Sequence, residues 1–578
     1  MGIKKRYIIA LIPVVIVLVG GWNYRWVAED AYIDFRVVHN ILHGYGPVFN
    51  PGERVEVYTD PLWVALLTVF SGVFSFISVQ WWSVILGLVT SGGGFWLAGL
   101  ATSSLASKND DGEALPVGLV CLSVVGGVWM FVTSGLETGL IFGWLGLSWW
   151  LLVRALREAN RGIYLAALVI SLGFAIRPDM ALFTLTDGSF LVLLMWRKDR
   201  AQESRTTRRV VGLLVALVAI PIASELFRIA YFGLLVSNTS IAKSAASSYW
   251  SQGEKYLWNF LRPYFFFIPL MALGAVTVAR MRQWWRGGNR LDVLLVSAPV
   301  LGGVLDILYV VRVGGDFMHA RMLLPGFFAI FSVFWMYWPP SRLNIYPTLS
   351  VGAVVWSLVC LLVLRYTVAG IGSDLIANER MFYITMSANP HPISVQDYST
   401  TPWEITGFQL RREAATLSPR HKVMSLNAVG ASGPFLPVSS PLPEVLYDSF
   451  SNIGLKGLAA GSSVYVFDLF SLANPIGSHI TLTARGRPGQ EKFVSQTWMI
   501  ARFANTSITQ VPSYVSRSDL SDARAALACQ PLAGYLHTIT NHFSLGDIFT
   551  NFAHAFTWTT MTFSNDPHQA REQLCGST

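Results

Sequence analysis

Charge is scarce in this sequence: Asp, Glu, Lys and Arg make up only 13% of its 578 residues, whereas 53% are hydrophobic. A soluble domain carries about 25% charged residues, so water-soluble classes fit poorly. Cysteine is scarcer still, at four. Cys121 and Cys360 lie in apolar runs and read as small buried thiols, and Cys529 and Cys575 in the tail show no metal-site spacing. If the tail lies outside the cytoplasm, that second pair is free to form one disulfide, and the spacing leaves open whether it does. The chain also lacks a tight ligand spacing such as His-x-x-x-His, an internal repeat of transporter type and a matched pair of broken helices. Lys4, Lys5 and Arg6 precede an apolar stretch from Tyr7 to Trp22, but Gly20-Gly21-Trp22-Asn23 offers no small-x-small cleavage site, which predicts an uncleaved first helix.

Long apolar runs are what the chain has instead. Runs of roughly 17 to 25 residues, enough to cross about 30 Å of hydrocarbon, recur as far as Tyr366. The net charge of +8 sits mostly in short loops between these runs, so it reads as a topology signal and not as a nucleic-acid surface. Placing Lys4 to Arg6 in the cytoplasm and letting Pro61 to Ile77 lie in the interface or re-enter puts Arg154, Arg157 and Arg161 inside. The clusters Arg197 to Arg209 and Arg280 to Arg290, and then Arg342, follow them. This threading predicts a polytopic α-helical protein of the plasma membrane with about eleven transmembrane helices. Residues 1–369 would form the membrane domain, with a large first outer loop at 22–81. An odd number of spans leaves residues 370–578 outside as a mixed α/β domain, with strands near Lys422 to Leu426 and Ser463 to Phe467 and helices near Asp519 to Leu527 and Pro567 to Leu574. Tryptophans near span ends, among them Trp22, Trp26 and Trp285, read as an interfacial belt.

Polar residues collect on the outer connections. Glu29 and Asp30, adjacent just past the first span, suit a base or a ligand of a divalent cation; acids there also simply favour the start of the following helix. Within spans, Glu225 and Arg228 are spaced for an ion pair on one helix, and Asp187 and Asp306 mark a polar interior or pathway.

Glu29-Asp30-Ala31-Tyr32-Ile33 is followed by an amphipathic stretch with Arg36 and Asn40. Then come Gly44-Tyr45-Gly46-Pro47-Val48-Phe49-Asn50-Pro51-Gly52-Glu53 and Tyr58-Thr59-Asp60-Pro61-Leu62-Trp63. This order resembles the start of the GT-C class of polyprenyl-phosphate sugar transferases, and more closely the AftB-type terminal β-1,2-arabinofuranosyltransferases of mycobacterial-type cell walls. The likeness continues through Thr133-Ser134-Gly135-Leu136-Glu137-Thr138, Arg177-Pro178-Asp179, Asn238-Thr239 with Lys243, Gly314 to Arg321, Asn378 to Tyr383 and Leu472 to Gly477. That class often has two adjacent Asp residues at this loop. Here the first is Glu29, so Asp30 carries the expectation more securely.

The resemblance implies a GT-C fold, a decaprenyl-phosphoryl arabinose donor reached from the outer leaflet, and an arabinan acceptor from arabinogalactan or lipoarabinomannan. Asp30, with Glu29, would be the catalytic carboxylate: a base if the reaction inverts the anomeric centre, a nucleophile if it retains it. A front-face route assisted by the leaving phosphate is the third course. Lys243, Arg321, Arg177 and His319 would meet the donor phosphate, with snorkelling at the interface as the plainer reading of the cations. Charge on the leaving phosphate would be met by these side chains alone or with a divalent cation held by Glu29, Asp30 and His319. His391, Asp397, Tyr398 and Asn474 in the outer domain suit sugar hydroxyls, although folding duties explain each singly. A transferase for another polyprenyl-phosphate sugar would need nearly the same residues. A lipid-linked sugar transporter or flippase would make Asp187 and Asp306 central.

Overall fold

The low charge density takes its structural form as helices. The computed structural model describes residues 3–106, 113–157, 162–199, 203–338, 345–426, 435–507, 511, 513 and 515–576. The basic connectors at Arg161, Arg200 and Arg342 lie outside them. Five helices among the described residues are long and apolar enough to cross a bilayer: Val79–Ala106, Thr138–Arg157, Pro178–Arg197, Thr207–Phe232 and Arg290–Val313. Along Thr207–Phe232 the apolar side chains point outward, with Val211, Val215 and Ile222 each more than half exposed, as expected where the solvent is hydrocarbon. The protein is therefore a polytopic helical membrane protein.

Shorter apolar helices follow the remaining expected spans: Tyr7–Asn23, Ile163–Ile176, Arg321–Ser332 and Thr348–Leu362. Two expected spans are broken. Leu115 to Val132 divides into Val117–Ser123 and Gly126–Phe131, and Leu257 to Val278 divides between Trp250–Leu261 and Phe267–Arg286. Pro263 sits in the second break, where it withholds a backbone donor and disfavours helix in the residue before it, and Phe265 takes a φ of 47°. The stretch from Met322 to Trp338 ends as a strand, because Met336–Trp338 pairs antiparallel with Glu113–Leu115.

Contact density divides the chain into two compact units. The first comprises Met1–Val27, Trp81–Ala223 and Ser248–Phe382. Close glycine contacts bring its helices together: a Cβ on Gly146 would lie 2.1 Å from the Gly94 carbonyl oxygen, and one on Gly139 would lie 2.5 Å from that of Gly87. Small residues at such crossings let helix backbones approach without any hydrophobic driving force. Trp26 belongs to this packing and not to an interfacial belt: it is fully buried, and its indole N–H donates to the Met130 carbonyl at 2.9 Å. Trp22 and Trp285 remain about half exposed.

The second unit comprises Ala28–Gln80, Ser224–Ser247 and Tyr383–Thr578, so the loop after the first helix folds with the tail and not with the membrane domain expected at 1–369. Its centre is a four-stranded sheet. In order across the sheet the strands are Phe435–Pro437, Val423–Ser425, Leu446–Phe450 and Val464–Asp468, the last three parallel. The last two are buried along their whole length, as parallel strands covered on both faces require. The helix Gly454–Ala460 connects them as a β-α-β unit, and the helices Ala31–Leu42 and Pro402–Ala414 pack on it. The expected mixed α/β character of the tail is present, including helices at Arg517–Leu527 and Pro567–Cys575, and Cys529 is bonded to Cys575.

Loop motifs that looked chemical in sequence hold this assembly. Arg36 donates to the carbonyls of Phe49, Val464, Gly457 and Gly461, the first two at 2.8 Å. Asn50 exchanges hydrogen bonds with both backbone groups of Val466 at 3.0 and 3.1 Å, as an added strand would. Glu53 pairs with Arg502 at 2.7 Å and accepts the Tyr465 hydroxyl at 2.9 Å. Glu225 and Arg228 form the expected pair at 2.6 Å, and Glu56 adds a second carboxylate at 2.7 Å.

Candidate active site

Parallel strands of a β-α-β unit leave their carboxyl ends and the following helix start open to ligands, and the acid pair sits at such an edge. Glu29 is buried, and its Oε1 accepts the amide N–H groups of Gly454 at 2.6 Å and Leu455 at 3.2 Å, the first turn of the helix Gly454–Ala460. Only glycine fits at position 454, since a Cβ would lie 2.0 Å from the Glu29 carbonyl oxygen. Burial, and then the neighbouring Asp30, push the Glu29 carboxyl up to about 8 against the pull of the two amides. Glu29 is thus mainly neutral at pH 7. Asp30 sits half-buried at the start of the helix Ala31–Leu42.

The surrounding groups shape that edge. Asp468, at the end of its strand, accepts the amides of Phe470 and Ala473, each at 2.8 Å, and burial pushes it up to about 6. Asn474 braces the same turn: it donates to the Asp468 carbonyl at 3.1 Å and accepts the amides of Ile476 and Gly477. The Asn238 amide reaches over to the carbonyls of Leu472 at 2.7 Å and Ser471 at 3.1 Å. At the end of the helix Asn238–Ala242, Lys243 lies half-buried beside Gly489, and among the described residues it has no carboxylate partner.

The other expected cations belong to the first unit. The Arg177 guanidinium binds Asp179 through two hydrogen bonds of 2.7 Å and Glu137 through one of 2.8 Å. Arg321 lies 3.4 Å from Glu137 and 3.5 Å from Asp316. Bracketed by two guanidinium groups, the Glu137 carboxyl falls to about 2 despite its burial. Two cations thus face three carboxylates. His319 is buried, with its ring stacked 3.7 Å from that of Tyr366; Nδ1 contacts Asn259 at 2.6 Å and Nε2 contacts the Tyr264 hydroxyl at 3.2 Å. Burial lowers its pKa to about 3, so the ring is neutral.

Three of the four sugar-binding candidates of the tail, His391, Asp397 and Tyr398, fall in one short stretch, while Asn474 lies in the turn after Asp468. Asp397 accepts the amides of Ile393 and Ser394 and the Ser394 hydroxyl, capping the turn Val395–Tyr398. Tyr398 is fully buried, donates to the Pro392 carbonyl and meets the Tyr32 ring edge-on at 5.8 Å. The backbone N–H of His391 donates to the Asn389 side chain at 2.9 Å. Folding duties account for the Asp397 and Tyr398 side chains and for Asn474.

Similarity to known proteins has the same extent as this architecture. A family model described as the AftB family C-terminal domain matches residues 443–573. A terminal β-(1→2)-arabinofuranosyltransferase of Mycobacterium tuberculosis is 30% identical, over 93% of this chain and 92% of its own length. The chain belongs to this arabinofuranosyltransferase family. A protein of the same name from Corynebacterium glutamicum is 27% identical over 96% of this chain and 85% of its own. No solved structure matches.

As a member of this arabinofuranosyltransferase family, the chain holds its Glu-Asp pair in the same unit as Lys243, whereas Arg177, Arg321 and His319 belong to the other unit. Among the described residues, no group of three or more His, Cys, Asp or Glu side chains is placed to hold a metal ion. Sequence reasoning missed the buried pair of Asp448 and Lys456, 3.9 Å apart. Burial raises the first and lowers the second. Lys456 occupies an apolar-looking helix, and its partner lies in a fully buried strand, so no local pattern marks either. Arg411 was missed because it reads as an ordinary helix-surface charge.

Proposed function

We propose that the protein is a glycosyltransferase that moves arabinofuranose from decaprenyl-phosphoryl arabinose to the non-reducing ends of cell-wall arabinan, forming terminal β-1,2 linkages, with Asp30 as the catalytic carboxylate. The near full-length relationship to two terminal β-(1→2)-arabinofuranosyltransferases carries this reading. The division of labour at the acid pair supports it. Glu29 is tied to two amides with its pKa pushed up to about 8, whereas its neighbour Asp30 is only half-buried.

Lys243 is the cation best suited to the donor phosphate on the side of the acid pair, since no carboxylate competes for it among the described residues. Arg177 and Arg321 would have to exchange carboxylate partners before meeting a phosphate. We place the chain in a GT-C fold of about eleven spans in the plasma membrane, with the N-terminus in the cytoplasm and the second unit outside. The bond between Cys529 and Cys575 supports the outside placement, because the cytoplasm keeps such thiols reduced. We read the leaving phosphate as stabilised by fixed cationic side chains.

Transfer of labelled arabinose from decaprenyl-phosphoryl arabinose to a short synthetic arabinan by the purified full chain is the test. Transfer is expected, unchanged by chelator. No transfer to any arabinan, with donor binding intact, would overturn the reading, and loss on chelation with recovery on adding a divalent cation would overturn the metal-free account.

A further inference from the structure

A second feature of the outer-loop unit lies away from the acid pair. A cleft of about 590 Å³ opens beside the middle and end of the helix Ala31–Leu42, between it, the chain from Ser71 to Gln80, the helix Pro402–Ala414 and the turn at Leu458–Ser463. His39 is nine positions beyond Asp30, or roughly 13 Å along the helix at 1.5 Å per residue, so the cleft is not the site of the acid pair.

Its lining is one-sided in charge. Arg36 and Arg411 both border it, and no Asp or Glu does. The carboxyl acting on Arg36 is Glu444, which burial pushes well above the usual carboxylate range, and it does not line the cleft. Arg36 is consumed by backbone carbonyls and supplies charge alone. Arg411 is exposed and has no carboxylate partner among the described residues. Hydroxyls of Ser71, Ser75, Ser78 and Ser463 complete a wall rich in donors. An acid-free pocket with a spare guanidinium and several hydroxyls selects a phosphate over a neutral sugar.

Its position specifies what kind of phosphate. Val79 and Gln80, at its edge, are the first residues of the 28-residue apolar helix Val79–Ala106, so the cleft lies where the chain enters the hydrocarbon. Beside it, Val69, Val73, Phe74 and Phe76 stand exposed, Phe76 at 82%. Such a strip is costly in water and stable among acyl chains. The structure assigns this cleft as a binding site for the phosphate headgroup of a membrane lipid, with Arg411 as the headgroup ligand and the strip from Val69 to Phe76 against its chains.

The experiment titrates the purified full chain with phosphatidylglycerol, decaprenyl phosphate and an uncharged diacyl glycolipid, and counts bound lipid by native mass spectrometry. Wild type is expected to bind a phosphate lipid. Arg411→Gln should weaken that binding about fivefold to tenfold, with Arg411→Lys retaining most of it and Ser75→Tyr, which fills the mouth from an exposed position, abolishing it. A response to phosphatidylglycerol identifies bulk phospholipid as the occupant; a response to decaprenyl phosphate alone identifies the polyprenyl class. Equal binding by wild type and both Arg411→Gln and Ser75→Tyr, equal affinity for the uncharged lipid, or displacement by a soluble arabinan would overturn the assignment.

Discussion

Adjacent acids need not share an environment, and Glu29 and Asp30 do not. Glu29 is buried against two amides, whereas Asp30 is half-buried. Asp30→Asn should therefore fold and bind donor yet lose transfer by about 10² to 10⁴, the range for one catalytic carboxylate, in the arabinan assay. Retained transfer would move the assignment to another residue. Glu29 makes a different prediction through pH. Its folded pKa, about 8, lies above its ordinary value of 4.5, so its contribution to stability is complete below the lower value and is lost as pH rises through the upper one. Glu29→Gln keeps the neutral shape and cannot ionise. Melting curves at pH 5, 7 and 9 should show wild type losing stability over this range and the variant losing less. Parallel losses would show that Glu29 is ionised throughout.

At the scale of elements, close backbone approach and not side-chain interlock sets the crossing of the helices Val79–Ala106 and Thr138–Arg157. Gly87, Gly94, Gly139 and Gly146 repeat at seven-residue intervals along the two helices, and they meet pairwise. Replacing Gly146 with leucine forces apart two backbones that have no room even for a Cβ, and overpacking of this kind costs about 1–3 kcal/mol. The variant should melt several degrees lower in detergent. Gly93→Leu on the partner helix Val79–Ala106, where a Cβ would meet nothing within 4 Å, should leave the melting temperature unchanged.

Across the whole molecule, the second unit draws on three separate stretches of chain, and its last helix is held by the bond between Cys529 and Cys575, 46 residues apart. Closing a loop of that size stabilises by about 2–4 kcal/mol, mainly through the unfolded chain. Replacing both cysteines with serine should make the region from Arg517 to Cys575 the first to be cut in limited proteolysis of the full chain. An unchanged cleavage pattern would mean that the buried packing of Leu520, Ala523 and Ala570 suffices alone.

Whatever depends on the average property of a stretch was legible in the sequence: membrane helices from apolar runs and a mixed α/β tail from its change of texture, whereas the pairing of Cys529 with Cys575 was decided by the fold. The family, too, was readable from local motifs such as Glu29-Asp30-Ala31-Tyr32, because side chains that serve one fold keep their order along the chain. Tertiary structure alone decided what those motifs do. Asn50 and Glu53 are bound to a strand and an arginine more than 400 residues away, and Arg177 and Arg321 share a carboxylate from a third loop. Burial separated Glu29 from Asp30, and the fold brought buried Arg36 and exposed Arg411 to one acid-free cleft. These outcomes depend on which groups lose water together, a property of the folded neighbourhood and not of any sequence window.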